Sequence, residues 1–180
     1  MSRSRSCNIP LLVLFDRDGT LVADDPDLRR ARCVRPIDGA TSAVARLRAN
    51  GIRTGIVTNQ PRIGLGKLDV CELDAIHNEI DRQFGPFDVW AVCPHAPHIG
   101  CACRKPMPGL ITSALRQVGC APGDCVVVGD IGSDIDAAFG AGTRAILVPT
   151  AVTRRAEIVR APVVAANLDA AVGIILRGGT

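Results

Sequence analysis

The 180-residue sequence predicts an α/β fold in which helices cover both faces of a parallel β-sheet. Short apolar runs alternate along the chain with segments of helical period, which is the pattern of βαβ units. The composition is 47% hydrophobic and only 3% aromatic, and aliphatic residues suit strands that are buried on both faces. We therefore expect three layers and a single domain over residues 1–180.

The predicted strands are apolar runs that end at turn signals. They lie at residues 11–15, 52–57, 88–92, 125–128, 145–148 and 163–166. The helical segments between and after them are 40–50, 68–84, 109–118, 134–141 and 168–176. Two long irregular stretches, 18–38 and 93–108, each follow the carboxyl end of a strand, where parallel sheets bind ligands. A functional site is expected at that edge.

Charge and hydropathy exclude several classes of protein. The net charge of +3 comes from basic residues spread along the chain, so nucleic acid is not an expected partner, whereas small anionic substrates are compatible with it. The apolar stretch at 9–15 is far shorter than the ~20 residues of a membrane span, and no small-residue cleavage site follows it. We expect a cytoplasmic monomer whose partner is a small molecule.

Asp16 and Asp18 stand directly after the first predicted strand, in the sequence Asp-Arg-Asp-Gly-Thr. Residues two apart on an extended chain face the same side, so both carboxylates point into one pocket. Asp16 can attack a phosphate ester as a nucleophile, and Asp18 can give and retrieve the proton. Asp130, after another apolar strand, would complete a magnesium site with them. The alternative is that the two acids only shape a turn.

Asp134 lies four residues after Asp130, and two interpretations of it stay open. It is either a further magnesium ligand or the residue that caps a helix, because aspartate is favoured at helix N-termini.

Thr58 and Lys105 extend the set, and with them the sequence resembles a known superfamily. Thr58 ends a strand before Asn59 and Gln60, and Lys105 stands in Arg-Lys-Pro. Together with DRDGT and Gly129-Asp130, these resemble the four motifs of haloacid dehalogenase phosphatases. The resemblance implies Asp16 as the nucleophile, Asp18 as the acid and base, and Thr58 and Lys105 as groups that bind the phosphoryl oxygens. It also implies magnesium held by Asp16, Asp130 and the main-chain carbonyl of Asp18.

A second cluster follows the third predicted strand. Cys93, His95, Cys101 and Cys103 supply three thiols and an imidazole within eleven residues, a standard tetrahedral set for structural Zn²⁺. His98 could replace His95. The alternative is a reduced thiol loop or a redox pair at Cys101 and Cys103. The remaining five cysteines are expected to be small buried or boundary hydrophobes: Cys7, Cys33, Cys71, Cys120 and Cys125.

The string from Cys93 to Gly109 resembles the zinc loop of the heptose bisphosphate and histidinol phosphate phosphatases. That resemblance implies a capless, Rossmann-like core with a zinc-binding loop. It also implies hydrolysis of a sugar bisphosphate, first of all the 7-phosphate of D-glycero-D-manno-heptose 1,7-bisphosphate, with magnesium essential and zinc structural. Histidinol phosphate or another small phosphomonoester is the alternative substrate, and an inactive zinc-stabilised binding module is the alternative outside enzymes.

The substrate-binding candidates are Asn59, Arg62, Lys67 and Arg104, three of which are cations suited to a second phosphate. At two positions where the branch usually has a cation, this sequence has an apolar residue. Leu65 replaces an expected arginine, and Ile131 replaces an expected lysine after Gly-Asp. The leaving alcohol is therefore less sharply predicted than the reaction.

Overall fold

The computed structural model describes residues 9–24 and 30–179. Within them, the sheet has five parallel strands, each within two residues of its predicted bounds. The strands are β1 (Leu12–Phe15), β2 (Arg53–Asn59), β3 (Val89–Cys93), β4 (Cys125–Gly129) and β5 (Arg144–Leu147). Their order in the sheet is β3-β2-β1-β4-β5, so the direction of winding reverses at β1.

Seven helices connect and follow the strands in the described ranges. They are α1 (Ala40–Ala49), α2 (Pro61–Gly64), α3 (Val70–Phe84), α4 (Gly109–Val118), α5 (Gly132–Gly140), α6 (Arg155–Arg160) and α7 (Leu168–Leu176). Helices α4 and α7 have the predicted bounds, whereas α2 and α6 are too short for periodicity to reveal. Helix α3 starts two residues later than predicted. It starts there because Asp69 caps the helix, accepting a hydrogen bond from Glu72 N at 2.7 Å.

Strand β1 shows why the fold has three layers. Val13 and Phe15 belong to the core under α1, α3 and α7, while Leu12 and Leu14 belong to the core under α4 and α5. All four side chains are fully buried, as alternating residues of a strand covered on both faces must be. The predicted three-layer α/β architecture is confirmed.

The sixth predicted strand, 163–166, is wrong. Val164 forms only an isolated parallel bridge with Leu147, through two backbone hydrogen bonds of 2.9 Å. The chain cannot extend this pairing, because Asn167 caps α7 by accepting from Ala170 N at 2.9 Å. Among the cysteines, Cys71 is exposed, contrary to expectation, Cys120 and Cys125 are buried, and Cys7 lies outside the described residues.

Candidate active site and metal clusters

A cleft of about 500 Å³ opens beyond the carboxyl ends of β1 and β4, where the strand order reverses. Ligands of open α/β sheets bind at such reversal points. The predicted site residues that line the cleft are Asp16, Asp18, Thr58, Asn59, Arg104, Lys105, Asp130 and Asp134. The sheet therefore gathers into one wall residues from four separate regions of the sequence.

Lys105 lies at the centre of this wall and is 4% exposed. Its Nζ donates to Asp16 Oδ1 at 2.5 Å and to the carbonyl of Val57 at 2.9 Å, and it pairs with Asp134 Oδ1 at 2.6 Å. Burial alone would lower the pKa of Lys105, but the carboxylates of Asp134 and Asp16 outweigh it and raise the pKa. The side chain is therefore a fixed positive charge beside the predicted nucleophile.

The acids outnumber this cation. One carboxylate oxygen each from Asp16, Asp130 and Asp134 lies within 4.8 Å of the others. Burial raises the pKa of Asp16 to about 8, with Lys105 opposing the shift, and burial together with Asp134 raises the pKa of Asp130 to about 6. When all three acids are ionised, the carboxylates and the ammonium leave two negative charges, which a divalent cation with oxygen ligands would balance. The residues fit magnesium.

Asp18 is held apart from this group by its neighbours. Arg17 donates from Nε to Asp18 Oδ1 at 2.9 Å and from Nη2 to Oδ2 at 2.8 Å. Gln60 Nε2 donates to Asp18 Oδ2 at 2.7 Å and also to Thr58 Oγ1 at 2.9 Å. Arg17 and Gln60 were not among the predicted site residues, although each adjoins a predicted one.

Asn59 is engaged with the main chain of Lys105. Its Nδ2 donates to Lys105 O and its Oδ1 accepts from Lys105 N, both at 3.1 Å. The amide that was predicted to bind substrate therefore fixes the backbone of the lysine. Asn59 still lines the cleft, and its contact with substrate stays a prediction.

Asp130 and Asp134 are set by the junction between β4 and α5. Asp134 Oδ2 accepts from Ile131 N at 3.2 Å, so Asp134 helps to cap α5 while Oδ1 pairs with Lys105. Both interpretations of Asp134 are therefore compatible with one conformation. Thr150 Oγ1 donates to Asp130 Oδ2 at 3.3 Å, and Thr153 Oγ1 donates to Asp130 O at 2.6 Å. Nothing in the sequence pattern pointed to these two threonines.

Gly19 permits the approach of Asp130. Its φ of +81° favours glycine, and a Cβ at this position would stand 2.5 Å from Asp130 Oδ2. The glycine of the first motif is required by the acid of the fourth.

The second predicted cluster is also assembled. Cys103 Sγ lies 3.3 Å from both Cys93 Sγ and Cys101 Sγ and 3.2 Å from His95 Nδ1, and Cys93 Sγ lies 3.6 Å from Cys101 Sγ. A tetrahedral Zn²⁺ with bonds of about 2.3 Å to sulfur separates its thiolates by about 3.8 Å. Three thiols and an imidazole at nearly this spacing fit zinc. His98 is exposed in the turn Pro97–Ile99 and does not belong to the group.

The loop that carries this cluster is fastened to the active-site wall. Gln60 N donates to Cys93 O at 2.7 Å, and Gly64 N donates to Pro94 O at 2.8 Å. A Cβ on Gly64 would collide with the backbone at Pro94, so α2 packs directly on the loop. The cluster ends at Cys103, two residues before Lys105, and thus anchors the segment that delivers the lysine.

The lining of the cleft also includes an arginine and apolar side chains. Arg104 lines it, and Ile131 and Val152 contribute apolar surface. Neither Arg62 nor Lys67 is among its lining residues, since Arg62 lies in α2 and Lys67 is exposed beyond it. Among the described residues that line the cleft, Arg104 is thus the cation left for a second substrate phosphate, because Lys105 pairs with Asp16 and Asp134.

Comparison with known proteins agrees with this geometry. A family model described as HAD-hydrolase-like matches residues 102–171. The chain is 34% identical over 149 residues, 80% of this chain and 83% of the relative, to the D-glycero-β-D-manno-heptose-1,7-bisphosphate 7-phosphatase of Bordetella bronchiseptica. It belongs to this family of haloacid dehalogenase-like phosphatases.

Other members of the family resemble it to a similar degree. One of them, the D-glycero-α-D-manno-heptose-1,7-bisphosphate 7-phosphatase of Mycobacterium bovis, is named for the α-anomer. It is 33% identical over 141 residues, 74% of each chain. The crystal structure of the B. bronchiseptica D,D-heptose 1,7-bisphosphate phosphatase with magnesium and phosphate superposes with a TM-score of 0.83 at 30% identity, covering 92% of this chain and 98% of that one.

Family membership makes this chain a phosphomonoester hydrolase. The predicted superfamily, the branch and the capless core architecture are confirmed together. In the described part of the chain, no helix is long and apolar enough to span a membrane.

Proposed function

We propose that this phosphatase removes the 7-phosphate of D-glycero-D-manno-heptose 1,7-bisphosphate through an aspartyl-phosphate on Asp16. The observation that carries the proposal is the contact of Lys105 Nζ with Asp16 Oδ1 inside a cleft that also holds Asp130 and Asp134. A relative that shares the fold is described with magnesium and phosphate, and curated relatives are named for this reaction.

Asp16 is the nucleophile in this proposal. One of its oxygens bonds to phosphorus as the ester bond breaks, and the leaving oxygen takes a proton from Asp18. Water then attacks the aspartyl-phosphate, Asp18 takes a proton from the water, and phosphate departs from Asp16. Lys105 and the Thr58 hydroxyl bind the phosphoryl oxygens, where fixed charge and hydrogen-bond donors stabilise the transferring group.

The cofactors are assigned to the two clusters. Asp16, Asp130 and the main-chain carbonyl of Asp18 would hold magnesium, with Asp134 at its edge, and the ion would offset the charge of the phosphate dianion. Cys93, His95, Cys101 and Cys103 would hold zinc, which would brace the loop that carries Arg104 and Lys105. We place the reaction in the cytoplasm and assign the chain as a monomer.

The second phosphate of the substrate is assigned to Arg104, and Arg62, Lys67 and Asn59 remain candidates for contacts with the sugar end. Arg104 lines the cleft and can bind phosphate through two nitrogens. The apolar wall of Ile131 and Val152 favours a second candidate, a small monophosphate such as histidinol phosphate. The relatives named for α- and β-heptose esters leave both anomers to be assayed.

A substrate panel tests the proposal. Turnover of both anomers of heptose 1,7-bisphosphate, histidinol phosphate and fructose 1,6-bisphosphate is measured with magnesium present, and the heptose ester should be fastest. Equal weak rates on all esters would reject both specific assignments, and absence of any turnover would favour an inactive binding module. Asp16→Asn should abolish turnover without loss of the fold, and activity retained in that variant would reject the nucleophile.

A further inference from the structure

Gln60 is buried and contacts two residues that line the cleft, the proposed proton donor Asp18 and the proposed phosphate-binding residue Thr58. It is 4% exposed, and its single side-chain nitrogen lies 2.7 Å from Asp18 Oδ2 and 2.9 Å from Thr58 Oγ1. An amide nitrogen carries two hydrogens, so both are used by these contacts. An ionised carboxylate only accepts, which fixes the amide with its nitrogen toward Asp18.

The hydrogen bond from Gln60 to Thr58 determines the direction in which the Thr58 hydroxyl donates its proton. Because Thr58 Oγ1 accepts a hydrogen bond from Gln60, the proton of the hydroxyl is left to point elsewhere. Thr58 lines the cleft, so the proton is available to an oxygen of the phosphoryl group. Gln60 thus makes Thr58 a donor toward the substrate.

The contact with Asp18 determines which oxygen moves the proton. Within the described residues, Oδ2 accepts from both Arg17 Nη2 and Gln60 Nε2, whereas Oδ1 accepts only from Arg17 Nε. Each carboxylate oxygen has two lone pairs in its plane, so Oδ2 is saturated and Oδ1 has one free. The proton exchanged with the leaving group must therefore use Oδ1.

We propose that Gln60 is a positioning residue, which orients the Thr58 hydroxyl toward the phosphoryl group and confines proton transfer to Oδ1 of Asp18. This rests on the proposed function, in which Asp18 is the acid. As the phosphorus–oxygen ester bond breaks, the leaving oxygen takes the proton from Oδ1. As water attacks the aspartyl-phosphate, the same oxygen receives the proton of the water.

The leaving group separates this role from a merely structural one. An alkyl phosphate needs its leaving oxygen protonated, whereas p-nitrophenyl phosphate leaves as a stable phenolate without a general acid. Gln60→Met removes both donated hydrogen bonds at similar volume. We expect kcat/KM, which reports only the steps up to release of the alcohol, to fall about 100-fold on the alkyl ester that the wild type hydrolyses fastest, but less than about tenfold on the aryl ester.

The decisive quantity is the ratio of kcat/KM on the alkyl ester to kcat/KM on the aryl ester, because any misfolded fraction cancels from it. Gln60→Glu should shift the ratio in the same direction, since a carboxylate cannot donate to Asp18. Gln117→Met, at an exposed glutamine of α4, should leave the ratio unchanged. Equal losses on both esters, or no loss, in the Gln60 variants would overturn the assignment of Gln60 to Asp18.

A double-mutant cycle tests the Thr58 contact on the aryl ester. If Gln60 acts there through Thr58, Gln60→Met should have no further effect in a Thr58→Val background, and an undiminished effect would overturn that half of the proposal. Failure of the proposed function has a different signature: the wild type would then hydrolyse neither ester with magnesium, or Asp16→Asn would remain active.

Discussion

The carboxylate cluster and the thiol cluster lie along the same edge of the sheet, yet they differ in how their charge is balanced. Asp16, Asp130 and Asp134 surround a buried ammonium and face an open cleft. The thiols of the second cluster face one another and His95, and burial with the neighbouring thiols raises the pKa of Cys103 to about 12. An incomplete oxygen set leaves room for substrate, whereas four close soft donors form a closed site. One cluster is suited to chemistry and the other to architecture.

Asp130→Asn offers the largest expected effect and tests the chemical half of the comparison. Turnover with magnesium should fall by about 10³-fold or more, because the variant would lose a proposed ligand of the cation. The free energy of unfolding without magnesium should rise by on the order of 1 kcal/mol, since burial raises the pKa of Asp130 to about 6 and so disfavours its charge. Kinetics and denaturant unfolding measure the two effects.

Asp74→Asn is the matched control for this variant, because Asp74 is an exposed acid of α3. It should change neither quantity. A large loss of stability in Asp130→Asn would show that the carboxylate cluster is structural as well.

Cys103→Ser tests the architectural half. Zinc content should drop from one per chain, and the melting temperature should fall by about 10 °C, which corresponds to about 3 kcal/mol for a domain of this size. Metal analysis and calorimetry check the result. Cys71→Ser, at an exposed cysteine, is the control. If purified wild type holds no zinc and the serine variant melts like it, the thiol cluster has no metal role.

Asn59→Ala tests the connection between the two clusters. The main chain of Lys105 would lose two hydrogen bonds of 3.1 Å, so the ammonium should be less accurately placed beside Asp16. We expect kcat to fall about tenfold, worth about 1.4 kcal/mol, with little change in KM. Asn50→Ala, at an exposed asparagine, should have no effect. A rise in KM alone would instead support the predicted contact of Asn59 with substrate.

His77, an imidazole outside both clusters, gives the smallest effect. It stacks on Trp90 at 3.9 Å between ring centroids, and burial, with Arg17 adding, lowers its pKa to about 4. Between the unfolded value of about 6.5 and this one, the unfolded chain binds a proton that the folded chain does not, so acidification lowers stability. From pH 7 to 5 we expect a loss of about 1 kcal/mol that is absent in His77→Phe.

The difference between the wild type and His77→Phe reports the titration of His77 alone, because the carboxylates of the cleft are present in both proteins. Identical pH dependence of unfolding in the wild type and His77→Phe would contradict the assignment.

The sequence predicted the residues whose chemistry is set by type and spacing, but not those that act through the fold. Asp16, Thr58 and Asp130 end apolar strands, so the topology of a parallel sheet was enough to bring them together. Thr150 and Thr153 reach Asp130 from a loop after β5, and no periodicity encodes which loop hydroxyl meets which acid.

The sequence did not reveal Gln60 and Arg17 as site residues for a related reason. Both adjoin predicted residues, yet their role depends on side-chain direction, which spacing along the chain does not specify. The run at 163–166 failed because an apolar stretch predicts burial, whereas a strand also needs backbone partners along its length, and here the capped α7 follows at once.

The missing side chain of Gly19 links two stretches of sequence that are more than a hundred residues apart. Since a Cβ there would meet Asp130 Oδ2, a side chain at position 19 would require a matching shift of Asp130. A chimera that joins the amino-terminal half of one phosphatase to the carboxyl-terminal half of another inherits this fit only if both halves keep it. In recombination and in design, the loop that carries Gly19 and the loop that carries Asp130 should therefore be transferred together.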